Sequence, residues 1–291
     1  MAIFDSVSEL LKYCKENSLP LWQAVMEVSA KESGISTGSS WEIMSGRLRA
    51  MKEADSGYDP DQRSRSGLTG GDGEKMRRLC ESGRSISGPF TGSIIAAALR
   101  MGECNACMHR IVAAPTAGSC GVIPAVLLPY AEKFGVSDDE LVKALYVTAG
   151  FGAVIASRAS ISGAEAGCQA EIGSASAMAA AALVFLHGGT ESQMADACAT
   201  ALENMMGLVC DPVAGLVEVP CVKRNVAGAM NALSSAELAL AGIGSRIPAD
   251  EVIDAMRSVG DMMPGALRET GLGGIAASPT AVKFAKDFLK K

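Results

Sequence analysis

Apolar residues return at intervals of three and four along most of this chain, the spacing that lines one face of an α-helix. Helix starts are marked repeatedly. Ser6 is followed by Glu9, Ser137 by Glu140 and Thr190 by Gln193, the separation at which two side chains can cap each other's backbone N–H groups. Ser278 with Pro279 predicts a last amphipathic helix, because proline at the first helical position has no N–H to leave unpaired. That helix ends in Phe288, Leu289 and two lysines, whose charge suits a C-terminal end. Strand signals are few: the β-branched clusters at Val122–Ile123 and Val217–Val219 are short and broken by glycine or proline. The pattern predicts an all-α fold. Residues 1–63 read as an N-terminal helical segment packed on residues 64–291, the two forming one continuous domain.

Four glycine-rich polar junctions interrupt the helical pattern: residues 64–75 (SRSGLTGGDGEK), 114–124 (APTAGSCGVIP), 162–176 (SGAEAGCQAEIGSAS) and 269–280 (ETGLGGIAASPT). Glycine lets backbone N–H groups approach an anionic ligand where a helix begins, although glycine also simply ends helices. Residues 55–72 alone have the composition of a linker, and are expected to fold over the domain or against a partner.

Composition narrows the function. A net charge of −6, with no basic run longer than three residues, excludes a surface built to neutralise nucleic-acid phosphates, so the expected ligand is a small molecule. The longest apolar run, Ala177–Leu186, is about half the ~20 residues a membrane span needs and predicts a buried helix. Aromatic residues make up 4%, with abundant Ala, Gly and Met, which suits helices packed closely through small side chains. Nine cysteines, an odd number, with no charged and apolar leader at the start, argue for a reducing cytoplasm as the expected compartment.

Three of those cysteines stand in bends. Cys168 lies in SGAEAGCQAE, and Cys210 and Cys221 bracket CDPVAGLVEVPC, where two prolines and a glycine prevent a continuous helix. Three thiolates are one too few for a closed zinc site, whereas a cubane iron–sulfur cluster held by three cysteines keeps one iron open to a substrate oxygen. The gaps of 42 (168 to 210) and 11 (210 to 221) match neither a ferredoxin run nor a zinc ribbon. Spacing alone therefore leaves unrelated buried cysteines as an open alternative.

At SGLTGGD, APTAGSCGVIP, GAEAGCQAEIGSASAMAAAAL and CDPVAGLVEVPCVKRN the chain strongly resembles the iron–sulfur L-serine dehydratases, and more narrowly the separate α chain of the two-subunit bacterial form. The resemblance extends from about Ser64 to the C-terminus. It implies a helical catalytic domain whose loops converge on a [4Fe–4S] cluster held by Cys168, Cys210 and Cys221, and conversion of L-serine to pyruvate and ammonia without pyridoxal phosphate. It also implies a β chain as partner, carrying a Ser-His-Thr-x-Gly-Pro motif that brings a histidine to the active site. No such motif occurs in this chain, whose only histidines are His109 and His187, so the catalytic base is expected from the β chain. Arg224 and Asn225 match the family pattern, and Lys223 beside them could hold a substrate carboxylate. Thr69, Gly70, Gly71 and Asp72, with Thr116, Gly118 and Ser119, match loops expected around the substrate.

Cys104 and Cys107, with His109 close behind, have a metal-like C-x2-C spacing that the family does not require, and read as incidental thiols. Cys14, Cys80 and Cys198 fall at helical spacings and read as core, Cys120 as a spectator facing the site, and His187 as a helix C-terminal residue before Gly188–Gly189. A related enzyme releasing sulfide from L-cysteine, or a non-catalytic iron–sulfur subunit, are the competing functions.

Overall fold

The apolar run at 177–186 forms the centre of the molecule. In the computed structural model, which describes residues 4–290, it belongs to α9 (Ser174–Leu186), buried from Ser174 to Val184. A helix apolar on every side needs neighbours on every side. Those are α6 (Val122–Phe134), α7 (Asp138–Arg158), α10 (Glu191–Met205) and α11 (Cys221–Leu240). Both α7 and the continuous stretch Gln169–Leu186 are long and apolar enough to cross a bilayer, but most of each is buried by other helices.

Around this centre, α1 (Val7–Asn17), α2 (Leu21–Glu32) and α3 (Thr37–Ser56) contact α7, and α5 (Gly88–Ala106) lies between α4 (Asp72–Glu81), α6 and α11. α12 (Ala249–Met262) packs on α10, and α13 (Pro279–Phe288) on the turn at Val213–Gly215. One apolar core runs from Phe4 to Met256, so the helices form a single domain. Ser40 Oγ and Tyr146 OH, 2.7 Å apart and buried, join α3 to α7. Among the described residues the only strand-like pairing is an isolated parallel bridge between Cys210 and Arg268.

Of the three expected capping boxes, Thr190 and Gln193 form a complete one. Ser6 and Ser137 accept from the Glu9 and Glu140 N–H groups, but the return halves are diverted. Glu9 accepts from Asp5 N–H, and Glu140 pairs with Lys143. Ser278 is the N-cap of α13 with Pro279 at its first position, but its hydroxyl makes no capping bond. Val122 and Ile123 begin α6.

Residues 57–71 fold back over the domain as a strap, fixed by two carboxylates from distant sequence. Buried Glu103 accepts from Tyr58 OH at 2.6 Å and from the Asp72 and Gly73 N–H groups at 2.8 and 3.2 Å. Glu218 accepts from the Ser64 and Ser66 hydroxyls, each at 2.6 Å.

Close helix crossings depend on missing side chains. At Gly228 of α11 a Cβ would lie 2.9 Å from Ile172 Cγ2 and 3.0 Å from Val122 Cγ2, both on buried neighbours. Gly228→Val is expected to overpack this crossing and cost about 2–3 kcal/mol. A fall of several degrees in the melting temperature of the purified chain would register it.

Candidate metal centre

A one-turn helix, α8 (Gly163–Ala166), leads into the first of two loops that bring Cys168 and Cys210 together. At Gly167 the backbone takes φ 77°, and a Cβ there would lie 2.7 Å from the Leu208 carbonyl, so only glycine turns the chain this closely. Cys168 follows, and residues Gln169–Gly173 continue as a π-helical turn into α9. Gln169 clamps the turn to the facing segment. Its N–H donates to Leu208 O at 2.9 Å, its Oε1 accepts from Gly207 N–H at 2.8 Å and its Nε2 donates to Met256 O at 3.0 Å.

Cys210 is fixed by its backbone, donating N–H to Leu267 O at 2.8 Å and accepting from Glu269 N–H at 2.7 Å. Pro220 precedes Cys221, the first residue of α11. One turn on, Asn225 Nδ2 donates to the Cys221 and Gly118 carbonyls at 3.0 and 2.8 Å, while its Oδ1 accepts from Gly121 N–H at 2.8 Å. The PTAGSCG loop is thereby fastened to the turn that carries Cys221.

The Cys168 and Cys210 sulfurs and a Glu171 oxygen lie within 4.8 Å of one another. Cys221, also buried, stands outside this group. Arg224 donates to Cys168 Sγ at 3.3 Å, to Val209 O at 2.8 Å and to Asp211 Oδ1 at 2.7 Å. Asp211, buried in turn, accepts from Ile275 N–H at 2.7 Å. Glu171 Oε1 accepts from Thr116 Oγ1, which lies 3.0 Å from Ser119 Oγ. The glycine-rich junctions divide between two places. Those at 114–124, 162–176 and 269–280 meet here, whereas the one at 64–75 gathers about Glu103 and Glu218 in the strap.

The electrostatics favour a bound cation. A hydrogen bond from Cys210 lowers the Cys168 pKa against the opposing effect of burial, and Arg224 assists, so Cys168 is the sulfur held toward thiolate. That same hydrogen bond, with burial, raises Cys210. Burial and the neighbouring Cys168 and Glu171 push Cys221 up to about 12. Burial also raises Glu171, against the hydrogen bond from Thr116. Buried acidic groups crowded together in this way are relieved by a metal that takes the place of their protons.

The remaining expected residues are distributed unevenly. Thr69, Gly70 and Gly71 are buried in the strap, and Asp72 opens α4 with its carboxylate on Lys75. Gly118 is pressed against Glu171, where a Cβ would be 2.5 Å from Oε1. Lys223 is exposed and makes no hydrogen bond or ion pair among the described residues, because on α11 it is turned about 100° from Arg224. Cys120 is buried with its sulfur 3.7 Å from Met101 O in α5. Cys104 donates to Ala54 O at 3.4 Å, Cys107 is half-buried, and His109 pairs with Gln62. Cys14 and Cys198 are buried in the core, whereas Cys80 on α4 is only half-buried. His187 ends α9 with Nδ1 2.9 Å from Tyr130 OH. Two residues of the site escaped the sequence reading. Glu171 is the one acid in QAEIGSASAMAAAAL, and Asp211 directly follows Cys210.

Comparison with known proteins decides the family. The model of the serine dehydratase alpha chain matches residues 16–276. The chain belongs to that family. It is 47% identical over 284 residues to the probable L-serine dehydratase, alpha chain, of Bacillus subtilis, covering 98% of this chain and 95% of the relative. The L-serine dehydratase, alpha chain, of Peptoniphilus asaccharolyticus is 42% identical over 294 residues, covering 99% of each. L-serine dehydratase TdcG of Escherichia coli is 37% identical over 284 residues, covering 94% of this chain but 61% of its own length.

The Arg224–Asp211 pair makes a stability prediction, since their side chains are only 12% and 3% exposed. Asp211→Ala leaves a buried guanidinium without its counter-ion, at an expected cost of about 3 kcal/mol. Urea unfolding of the metal-free chain measures it.

Proposed function

We propose that this chain is the catalytic α subunit of an iron–sulfur L-serine dehydratase, converting L-serine to pyruvate and ammonia in a reducing cytoplasm. The observation that carries the reading is the pair of buried sulfurs at Cys168 and Cys210, within 4.8 Å of a Glu171 oxygen, in a chain of the serine dehydratase alpha family. The donor set fits a [4Fe–4S] cluster. Cys168, Cys210 and Cys221 are buried free thiols, and Gly163 lets the chain pass close to one of them, since a Cβ there would come within 2.9 Å of the Cys210 sulfur. Held by three cysteines, the cluster supplies an iron with no protein ligand, a Lewis acid that makes hydroxide a tolerable leaving group.

The chain's own residues set the environment. Arg224 offsets thiolate charge at Cys168, and Asp211 holds the guanidinium in place. Asn225 keeps the Thr116–Ser119 hydroxyls beside the thiols by fastening their loop to α11. A base removes the Cα proton of serine, the β-hydroxyl departs, and the resulting aminoacrylate tautomerises to an imine that water hydrolyses to pyruvate and ammonia. His109 and His187 are bonded to Gln62 and Tyr130 and make no hydrogen bond to Cys168, Cys210 or Cys221, so the base is assigned to a β chain.

Anaerobic reconstitution with iron and sulfide, followed by pyruvate assays on L-serine, L-threonine and L-cysteine, tests the proposal. A brown protein binding about four irons and preferring serine is expected. A colourless preparation overturns the cluster, and a preference for cysteine overturns the substrate.

A further inference from the structure

We propose that Arg224 is a positioning residue that acts through the Cys168 sulfur, withdrawing electron density from the proposed cluster and so making its open iron a stronger Lewis acid toward the oxygens of serine. The inference rests on the proposed function, and it starts from an asymmetry among the three sulfurs. Among the described residues, Cys168 alone of the three accepts a hydrogen bond from a cationic side chain, Arg224 Nη1 at 3.3 Å. Cys210 is held through its backbone, and Cys221 through the first turn of α11.

The aim of the Arg224 bond is set by its other partners. A guanidinium is planar, so holding two of its nitrogens sets the direction of every N–H. Nη1 also donates to Val209 O at 2.8 Å, and Nη2 donates to Asp211 Oδ1 at 2.7 Å. Asp211 is anchored in turn by Ile275 N–H at Oδ2, an oxygen that a Cβ on Gly274 would strike, so glycine lets the chain close over the carboxylate. Both side chains of the pair are almost buried, and solvent screens the contact little. A buried ion pair is a poor way to hold a fold together, since well-packed apolar residues often do as well. What apolar residues cannot supply is an N–H aimed at a sulfur.

Such a bond has a definite electronic sign. A thiolate passes electron density to the iron it ligates, and an N–H on the same sulfur takes part of that density back, which raises the reduction potential of an iron–sulfur cluster. The same withdrawal leaves the iron without a protein ligand poorer in electrons, so a carboxylate or hydroxyl oxygen binds it more tightly. Arg224 therefore needs no contact with the substrate. Its effect passes through Cys168, and a midpoint potential reads it without reference to turnover.

The test is an anaerobic redox titration of reconstituted protein, followed by the paramagnetic signal of the reduced cluster, with iron and sulfide counted and serine binding read from the visible spectrum. Wild type is compared with R224K and with the double variant R224M/D211N, which removes the hydrogen bond but leaves the net charge of the pair at zero and keeps an oxygen for Ile275 N–H. In the double variant the one-electron reduction is expected to become about tenfold less favourable, the scale of one hydrogen bond, which is a fall of about 59 mV in midpoint. Serine is expected to bind it severalfold more weakly. R224K, which keeps the charge and a donor without the fork, is expected to shift less. An unchanged midpoint in every variant that holds its iron, a lowered midpoint with undiminished serine affinity, or loss of iron from both variants overturns the assignment and leaves the proposed function standing. Wild-type protein that takes up no iron and sulfide removes the proposed function itself.

Discussion

Replacing Cys168, Cys210 or Cys221 singly with serine is expected to abolish both the iron–sulfur chromophore and serine turnover, whereas Cys104→Ser and Cys107→Ser leave both nearly intact. The difference lies in the surroundings of each thiol. The Cys168 and Cys210 sulfurs and a Glu171 oxygen lie within 4.8 Å of one another, and Cys221 is buried at the start of α11. Cys104 already has a partner in the Ala54 carbonyl. Iron and sulfide counts on anaerobically reconstituted variants provide the measurement. A full cluster in Cys210→Ser would overturn the ligand set. Because Cys221 stands outside the close group, its variant is the most informative of the three.

Adding a β chain to the reconstituted protein is expected to raise serine turnover by a factor of 100 or more, with iron content unchanged. The size follows from what a positioned acid–base residue contributes, about 10²- to 10⁴-fold. Two of the relatives described above are named as alpha chains, and the Escherichia coli enzyme extends well beyond the 61% of its length that this chain matches. Pyruvate formation at saturating serine, with and without the partner, distinguishes the cases. A rate indifferent to the β chain would mean that residues of this chain handle the proton.

The helical class was legible because it follows from local periodicity, and α9 from its unbroken apolar run. The reciprocal halves of two capping boxes were not, since the Asp5 N–H and Lys143 take up the same glutamates. The π turn at Gln169–Gly173 has no local signature; it is held by bonds from Gln169 to residues 38 and 87 positions away. The strap at 57–71 has linker composition, yet its serines and tyrosine are satisfied by carboxylates up to 154 residues away. At the site, bends marked the three cysteines, and the i, i+3, i+4 spacing of Cys221, Arg224 and Asn225 places them on one face of α11. The same periodicity turns Lys223 outward. Glu171 was hidden among small residues, although a lone acid in such a run is itself a signal.

The isolated bridge between Cys210 and Arg268 bears on when the protein can be matured. Cys210 is seated by Leu267 and Glu269, and the Asp211 that steadies Arg224 is held by Ile275. During synthesis, therefore, all three cysteines emerge from the ribosome well before the backbone that fixes their arrangement. Iron delivered to the nascent chain would meet loose thiols. If the proposed cluster is bound, productive assembly would wait until residues near 275 had been released and docked, so its insertion would act on an already folded scaffold.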